Sequence, residues 1–266
     1  MTSQYCIKEG YQSRSKPCYY SDTPPPGGRK IVWQPEVYEL AATFGRHLKL
    51  THVLDIGCGA AEKLSKLHPE FRIVGVDYGA NLDHCRLTYP HGQWIEADFE
   101  RATTLPLDPE IVRNCVIVCS DVVEHLIEPG ALMRLIGKLL GEAPVALIST
   151  PDRNLRGSGC LDWGPPENQH HVREWTLDEF EQFARVTGLR PIYNDLTVTN
   201  DLRHQRNTIL CIAGGKNLPA GALSSVLPPR TSRLLYLLRT ARKGFGAWRE
   251  RFFRRSDKVE APAVEE

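Results

Sequence analysis

The chain has 266 residues, 41% of them apolar and 24% charged, enough to build a sizeable core and too many apolar residues for bulk disorder. Its 33 basic and 32 acidic residues leave a formal charge of +1, which argues against a nucleic-acid partner. No run reaches the roughly 20 apolar residues that span a bilayer, and from the polar opening MTSQYCIKEG no secretory leader is expected. Eight cysteines without a C-x-x-C pair fit reduced thiols better than a zinc ribbon or a disulfide scaffold, so a cytoplasmic protein is expected.

Residues 1–30, ending in PPPGG, predict an irregular arm. Val37, Leu40, Ala41, Phe44 and Leu48 recur at helical spacing over 34–48, with Pro35 in the first turn. Then the pattern alternates. HVLDIG (52–57) predicts a buried strand, 60–67 a helix, RIVGVD (72–77) a strand and 81–87 a helix. QWIEAD (93–98), CVIVCSD (115–121) and VALIST (145–150) are further strands, with a helix over 130–140. After a Gly/Pro-rich loop, Thr176 caps a helix over 177–187 with Glu179 in its first turn, and 190–198 and 206–214 close as two strands. This cadence predicts a doubly wound, mostly parallel α/β sheet, whose ligands bind beyond the carboxyl ends of the strands. The predicted organisation is an arm (1–30), an α/β domain (31–215), a linker (216–229), a basic amphipathic helix (230–255) and a solvated tail (256–266).

The first strand ends in Asp55-Ile56-Gly57-Cys58-Gly59, where glycines permit a tight turn and close approach of a ligand. A dinucleotide fingerprint would need glycine at position 62, and the chain has Glu62, which repels a pyrophosphate. A nicotinamide dehydrogenase is therefore disfavoured, and a cationic nucleoside without phosphates suits the site better. Asp77 closes the second strand at the interval expected of a ribose-binding carboxylate. Asp98 and Phe99, after the third, combine an acceptor for an adenine amino group with an aromatic face.

The ordered set VLDIGCG, VGVD, EADF and SDVVEHL resembles the motif series of Rossmann-like, class I S-adenosylmethionine-dependent methyltransferases, over about 34–214. The resemblance implies a seven-stranded sheet with its last strand antiparallel and S-adenosyl-L-methionine as cofactor. It places cofactor contacts at Asp55, Gly57, Gly59, Asp77, Tyr78, Asp98, Phe99 and Ser120. Ala61 stands where many members have a third glycine. STPDR, NQHHVREWTLDEF and WQPEVYELA are similar to methyltransferases of sugar and polysaccharide biosynthesis, implying a sugar or glycan acceptor, lipid-linked forms included. The alternatives are N- or O-methylation of a small lipid-like acceptor, or a catalytically silent cofactor-binding relative.

A hydroxyl acceptor must lose a proton, and His125 or His171 is the expected base or orienting group, with His170 alongside. Asp121, Glu124, His125 and His171 have no metal-ligand spacing, so no metal is expected. Arg153, Arg156, Arg173 and Trp163 lie in or beside the substrate loop, where they suit an anionic group and a sugar face. Residues 230–255 carry nine Lys or Arg against Glu250, with aromatic residues at helical steps. Such a segment suits an anionic membrane surface, the acidic body of the protein, or a partner.

Overall fold

A computed structural model describes residues 4–16, 31–155, 163–202 and 205–242. Strands β1 (His52–Ile56), β2 (Arg72–Asp77), β3 (Gln93–Glu96), β4 (Cys115–Ser120), β5 (Val145–Pro151), β6 (Pro191–Val198) and β7 (Arg206–Gly214) form one sheet, ordered β3-β2-β1-β4-β5-β7-β6. The first five pair in parallel, and β7 runs antiparallel to both β5 and β6. This is the expected fold. The chain reverses direction across the sheet between β1 and β4, which opens a crevice at their carboxyl ends.

Helices α1 (Pro35–Leu48), α2 (Glu62–Ser65), α3 (Ala80–Thr88), α4 (Pro109–Arg113), α5 (Pro129–Leu139) and α6 (Leu177–Val186) flank the strands. On one side Val37 and Phe44 of α1 pack with Val53, Val118 and Leu147. On the other, Met133 and Ile136 of α5 and Phe180 and Phe183 of α6 pack with Ile117 and Ile148. Because both faces are covered, β1, β4 and β5 are buried along their whole length, and their sequences read as continuous apolar runs. The predicted cap of α6 is present: Thr176 Oγ1 accepts from Glu179 N, and Glu179 Oε2 accepts from Thr176 N.

Three local expectations are corrected. The helix expected over 60–67 shrinks to Glu62–Ser65, because Gly59 and Ala61 both take left-handed backbone (φ 54°) ahead of it. The third strand stops at Glu96 rather than 98. Helix α4 was not expected; Asp108 caps it by accepting from Glu110 N (2.8 Å), with Pro109 in its first turn.

Residues 4–16 of the arm pack on the body. Trp175 Nε1 donates to Tyr5 O (2.9 Å), Lys8 N donates to Glu179 Oε1 (3.0 Å), and Ile7 joins the core. At the other end, residues 233–242 are helical. Tyr236 is buried and its hydroxyl donates to Asp152 Oδ2 (3.0 Å), while Arg239 donates to Asn207 Oδ1 (2.6 Å). Leu234, Leu235, Leu237 and Leu238 remain at least half exposed. The rest of the expected 230–255 helix and the 256–266 tail lie outside the described residues. No helix among the described residues is long and apolar enough to cross a membrane.

Candidate active site

A cavity of about 610 Å³ opens beyond the carboxyl ends of β1, β2 and β4. Its back wall is the turn after β1, where Gly57 (φ 80°) and Gly59 (φ 54°) bring the chain round toward β2. Asp77, at the end of β2, pins that turn. Its Oδ2 accepts from Gly59 N (2.8 Å), and its Oδ1 accepts from Tyr78 N (2.8 Å) and Asn81 Nδ2 (3.3 Å). Tyr78 stands partly exposed on the wall, and Asp98 and Phe99 close the side under β3. Ser120 ends β4 on the same cavity, its hydroxyl bonded to Ser149 Oγ (2.9 Å), which donates to Asp121 Oδ1 (3.0 Å). Seven of the eight expected cofactor residues thus share one cavity.

Asp55 is the exception. It is fully buried, Tyr38 Oη donates to its Oδ2 (2.8 Å), and it does not reach the cavity wall. The side chain points toward α1, which carries Tyr38, itself on the cavity wall. Burial holds its carboxyl up at about 7.

The two expected catalytic histidines come together. His125 belongs to a 3-10 turn after β4, His171 to the loop after β5, and their rings meet edge to face at 5.0 Å. His125 Nδ1 donates to His170 O (2.8 Å); burial and then the neighbouring His171 push its ring down to about 4. His171 Nδ1 lies 2.6 Å from Glu174 Oε1, and Asn168 Nδ2 donates to its Nε2 (2.8 Å). Glu124 completes the group. It is wholly buried, its Oε2 accepts from Thr150 Oγ1 (3.0 Å), and its Oε1 has no partner. Burial, then the charge of Asp121, push its carboxyl well above the usual range.

The two described arginines in or beside the substrate loop make structural contacts. Arg153 is buried, ion-paired with Glu179 (2.7 Å) and bonded to Glu174 O (2.8 Å). Arg173 is buried too, donating to Leu126 O (3.2 Å) with its guanidinium 4.0 Å over the Tyr5 ring. Trp163 is exposed beneath Lys8 Nζ (4.1 Å). None of the three lines the cavity, because each is used to anchor the arm or the loop. Arg156 lies outside the described residues.

One wall residue was missed. Gln34 is 1% exposed, and neither atom of its side-chain amide has a hydrogen-bond partner. Its left-handed backbone (φ 47°) is held by donation to Thr199 O (3.0 Å) and by Pro35 after it. The signal was Gln-Pro at the start of a predicted helix, a glutamine where Ser, Thr, Asp or Asn usually caps. A buried amide that both donates and accepts, facing the same cavity as a carboxylate tied to a glycine turn, fits a ligand with an amino-acid end and a ribose.

This sheet order, with an acid at the end of β2 gripping the turn after β1, defines a class I methyltransferase. A family model described as a methyltransferase domain matches residues 32–194, more than half of the chain, and the chain belongs to that family. It is an S-adenosyl-L-methionine-dependent methyltransferase. A ubiquinone biosynthesis O-methyltransferase of Dinoroseobacter shibae is 29% identical over 185 residues, covering 63% of this chain and 73% of that protein. One from a Caulobacter species is 27% identical, covering 52% and 55%. Among solved structures, the N-methyltransferase NodS of Bradyrhizobium japonicum with S-adenosyl-L-homocysteine is similar at a TM-score of 0.49 and 16% identity, over 69% of this chain and 86% of that one.

Proposed function

We propose that the chain methylates a hydroxyl oxygen of a small, lipid-like acceptor, such as a quinone precursor, rather than a sugar. The observation that carries this reading is His171, in the wall of the cavity that Asp77 also lines and bonded through Nδ1 to Glu174 behind it. Two facts support the choice of acceptor. The curated relatives are named as O-methyltransferases of ubiquinone biosynthesis. Arg153 and Arg173, which would suit an anionic acceptor, are engaged elsewhere.

Asp77 would accept from the cofactor's ribose hydroxyls, Asp98 and Phe99 would hold its adenine, and Gln34 its amino-acid end. Gly57 and Gly59 let it approach the backbone, and Tyr78 and Ser120 flank it. When bound, S-adenosylmethionine supplies an electrophilic methyl on a sulfonium. The protein's task is alignment, and a place for the hydroxyl's proton. His171 is the base: its Nδ1 hydrogen points at Glu174, so Nε2 carries the lone pair, and Asn168 yields that position to the acceptor. His125, already neutral, packs against it and holds its tilt.

His171→Ala should lower turnover roughly 10²–10⁴-fold while leaving S-adenosylhomocysteine affinity unchanged. Labelled methyl from S-adenosylmethionine, offered with polyprenylated hydroxyphenols, nucleotide sugars and lipid-linked glycans, tests the acceptor. Label on a sugar would refute the lipid-like reading.

The exposed leucines extend it. Leu234, Leu235, Leu237 and Leu238 form one outward stripe flanked by Arg233 and Arg242, and the sequence continues with Lys243, Arg249, Arg254 and Arg255. This end of the chain lies on an anionic membrane surface, where each cation contributes about 1 kcal/mol and the leucines enter the headgroup boundary. Deletion after 229 would also remove the Tyr236–Asp152 bond, so the variant to use replaces the four leucines by serine. It should stop sedimenting with phosphatidylglycerol vesicles; sedimentation equal to the parent's would end the membrane reading.

A further inference from the structure

We propose that Glu124, His125 and His171 bind a divalent cation in the wall of the cavity. One ligand atom from each lies within 4.8 Å of the others. The side chains come from two segments that are fastened to each other: Val172 N donates to Glu124 O (2.7 Å), and His125 Nδ1 to His170 O (2.8 Å). The grouping is therefore part of the fold.

The chemistry of each group suits a cation. Glu124 is a carboxylate with no exposed surface and one oxygen without a hydrogen-bond partner. Such a group is stabilised in a protein interior by a proton or by a positive ion. Asp121 adds further negative charge beside it. Both imidazoles present the same nitrogen. His125 Nδ1 gives its hydrogen to a carbonyl and His171 Nδ1 gives its hydrogen to Glu174, so in each neutral ring Nε2 is the lone-pair atom. A carbonyl or carboxylate behind the far nitrogen is how proteins orient histidines toward a metal.

An ion about 2.1 Å from each ligand brings neighbouring ligand atoms to about 3–3.5 Å, so the group must close by about an ångström. One hydrogen bond has to yield: Asn168 Nδ2 leaves His171 Nε2, and Asn168 is an exposed loop residue that can turn to water. Two imidazoles and one carboxylate favour a first-row transition dication over Mg²⁺.

The consequence for catalysis rests on the acceptor site proposed above; the binding of the ion does not. With the ion bound, His171 Nε2 is a ligand and no longer the base, and the cation instead favours the ionised acceptor. The hydroxyl's proton leaves to bulk water, the oxygen forms its bond to the methyl carbon, and the electron pair of the carbon–sulfur bond stays on sulfur.

The test uses the full chain, treated with chelator and titrated with MnCl₂, with free Mn²⁺ read by electron paramagnetic resonance. Zn²⁺ is then added as a competitor. The expected result is one saturable Mn²⁺ site per chain, displaced by Zn²⁺. Glu124→Gln and His125→Ala should each weaken it at least 10-fold, and Glu174→Gln 10- to 100-fold, while S-adenosylhomocysteine still binds and reports an intact fold. Absence of a saturable site in the parent overturns the proposal, as does unchanged Mn²⁺ affinity in Glu124→Gln and His125→Ala variants that still bind S-adenosylhomocysteine. Methyl transfer that persists in chelator and is lost in His171→Ala would leave His171 as the base without an ion. A sugar product would instead refute the acceptor reading and leave the Mn²⁺ titration standing.

Discussion

Asp77→Ala is expected to weaken S-adenosylhomocysteine binding by roughly 10- to 100-fold, or about 1.4–2.7 kcal/mol. Ribose hydroxyls left without an acceptor in a closed site account for part of this. The rest comes from the protein itself, because the carboxylate is already in use before any ligand arrives. Its Oδ2 accepts from Gly59 N and its Oδ1 from Tyr78 N and Asn81 Nδ2. Alanine removes the acceptor that all three donors share and loosens the turn that shapes the cavity. The ligand-free protein should therefore also lose stability, by about 1–3 kcal/mol. Asp77→Asn separates the two effects: it keeps an acceptor oxygen for Gly59 N but removes the charge that strengthens bonds to ribose. It should recover most of the thermal stability and little of the affinity. Calorimetry and thermal unfolding on both variants check this, and parent-like affinity in Asp77→Ala would remove Asp77 from the cofactor site.

The sheet was legible because each strand and helix carries its own period, down to β2 over residues 72–77 and the Thr176–Glu179 capping box. What stayed hidden has particular causes. Every residue of β1 is buried, so its sequence has no polar face to tell which way Asp55 points; only the Tyr38 hydroxyl on α1 reveals it. The length of α2 depended on the backbone at Ala61, where an alanine sits in a conformation that favours glycine. Glu124 and His125 come from one segment and His171 from another, so only the fold shows that their side chains meet. The segment NQHHVREWTLDEF carried the likeness to sugar-modifying enzymes, yet Arg173 and Trp175 in it pack against the arm, and Glu179 pairs with Arg153. Those contacts are architectural, so the likeness there says little about the acceptor.

Gly57→Ala should cause a large loss of stability for the addition of a single methyl. Gly57 has φ 80°, a region that costs an L-residue about 1–2 kcal/mol. A Cβ built there lies 2.3 Å from Val122 Cγ2 and 3.1 Å from Cγ1. Val122 stands at the start of the segment that carries Glu124 and His125, so the new methyl pushes its side chain off its place in the cavity wall. Overpacking of this kind adds about 1–3 kcal/mol, for a total near 2–5 kcal/mol. In a chain of this size that corresponds to a melting temperature lower by roughly 5–15 °C. The double variant Gly57→Ala/Val122→Ala removes the clash and keeps the backbone strain, so it should be more stable than the sum of the single effects by about 1–3 kcal/mol. Cofactor affinity should not recover in parallel, because the strained turn still misplaces Gly59 N relative to Asp77. Strict additivity between the two substitutions would mean that the turn relaxes away from Val122, and that the cavity wall is not held as rigidly as these contacts require.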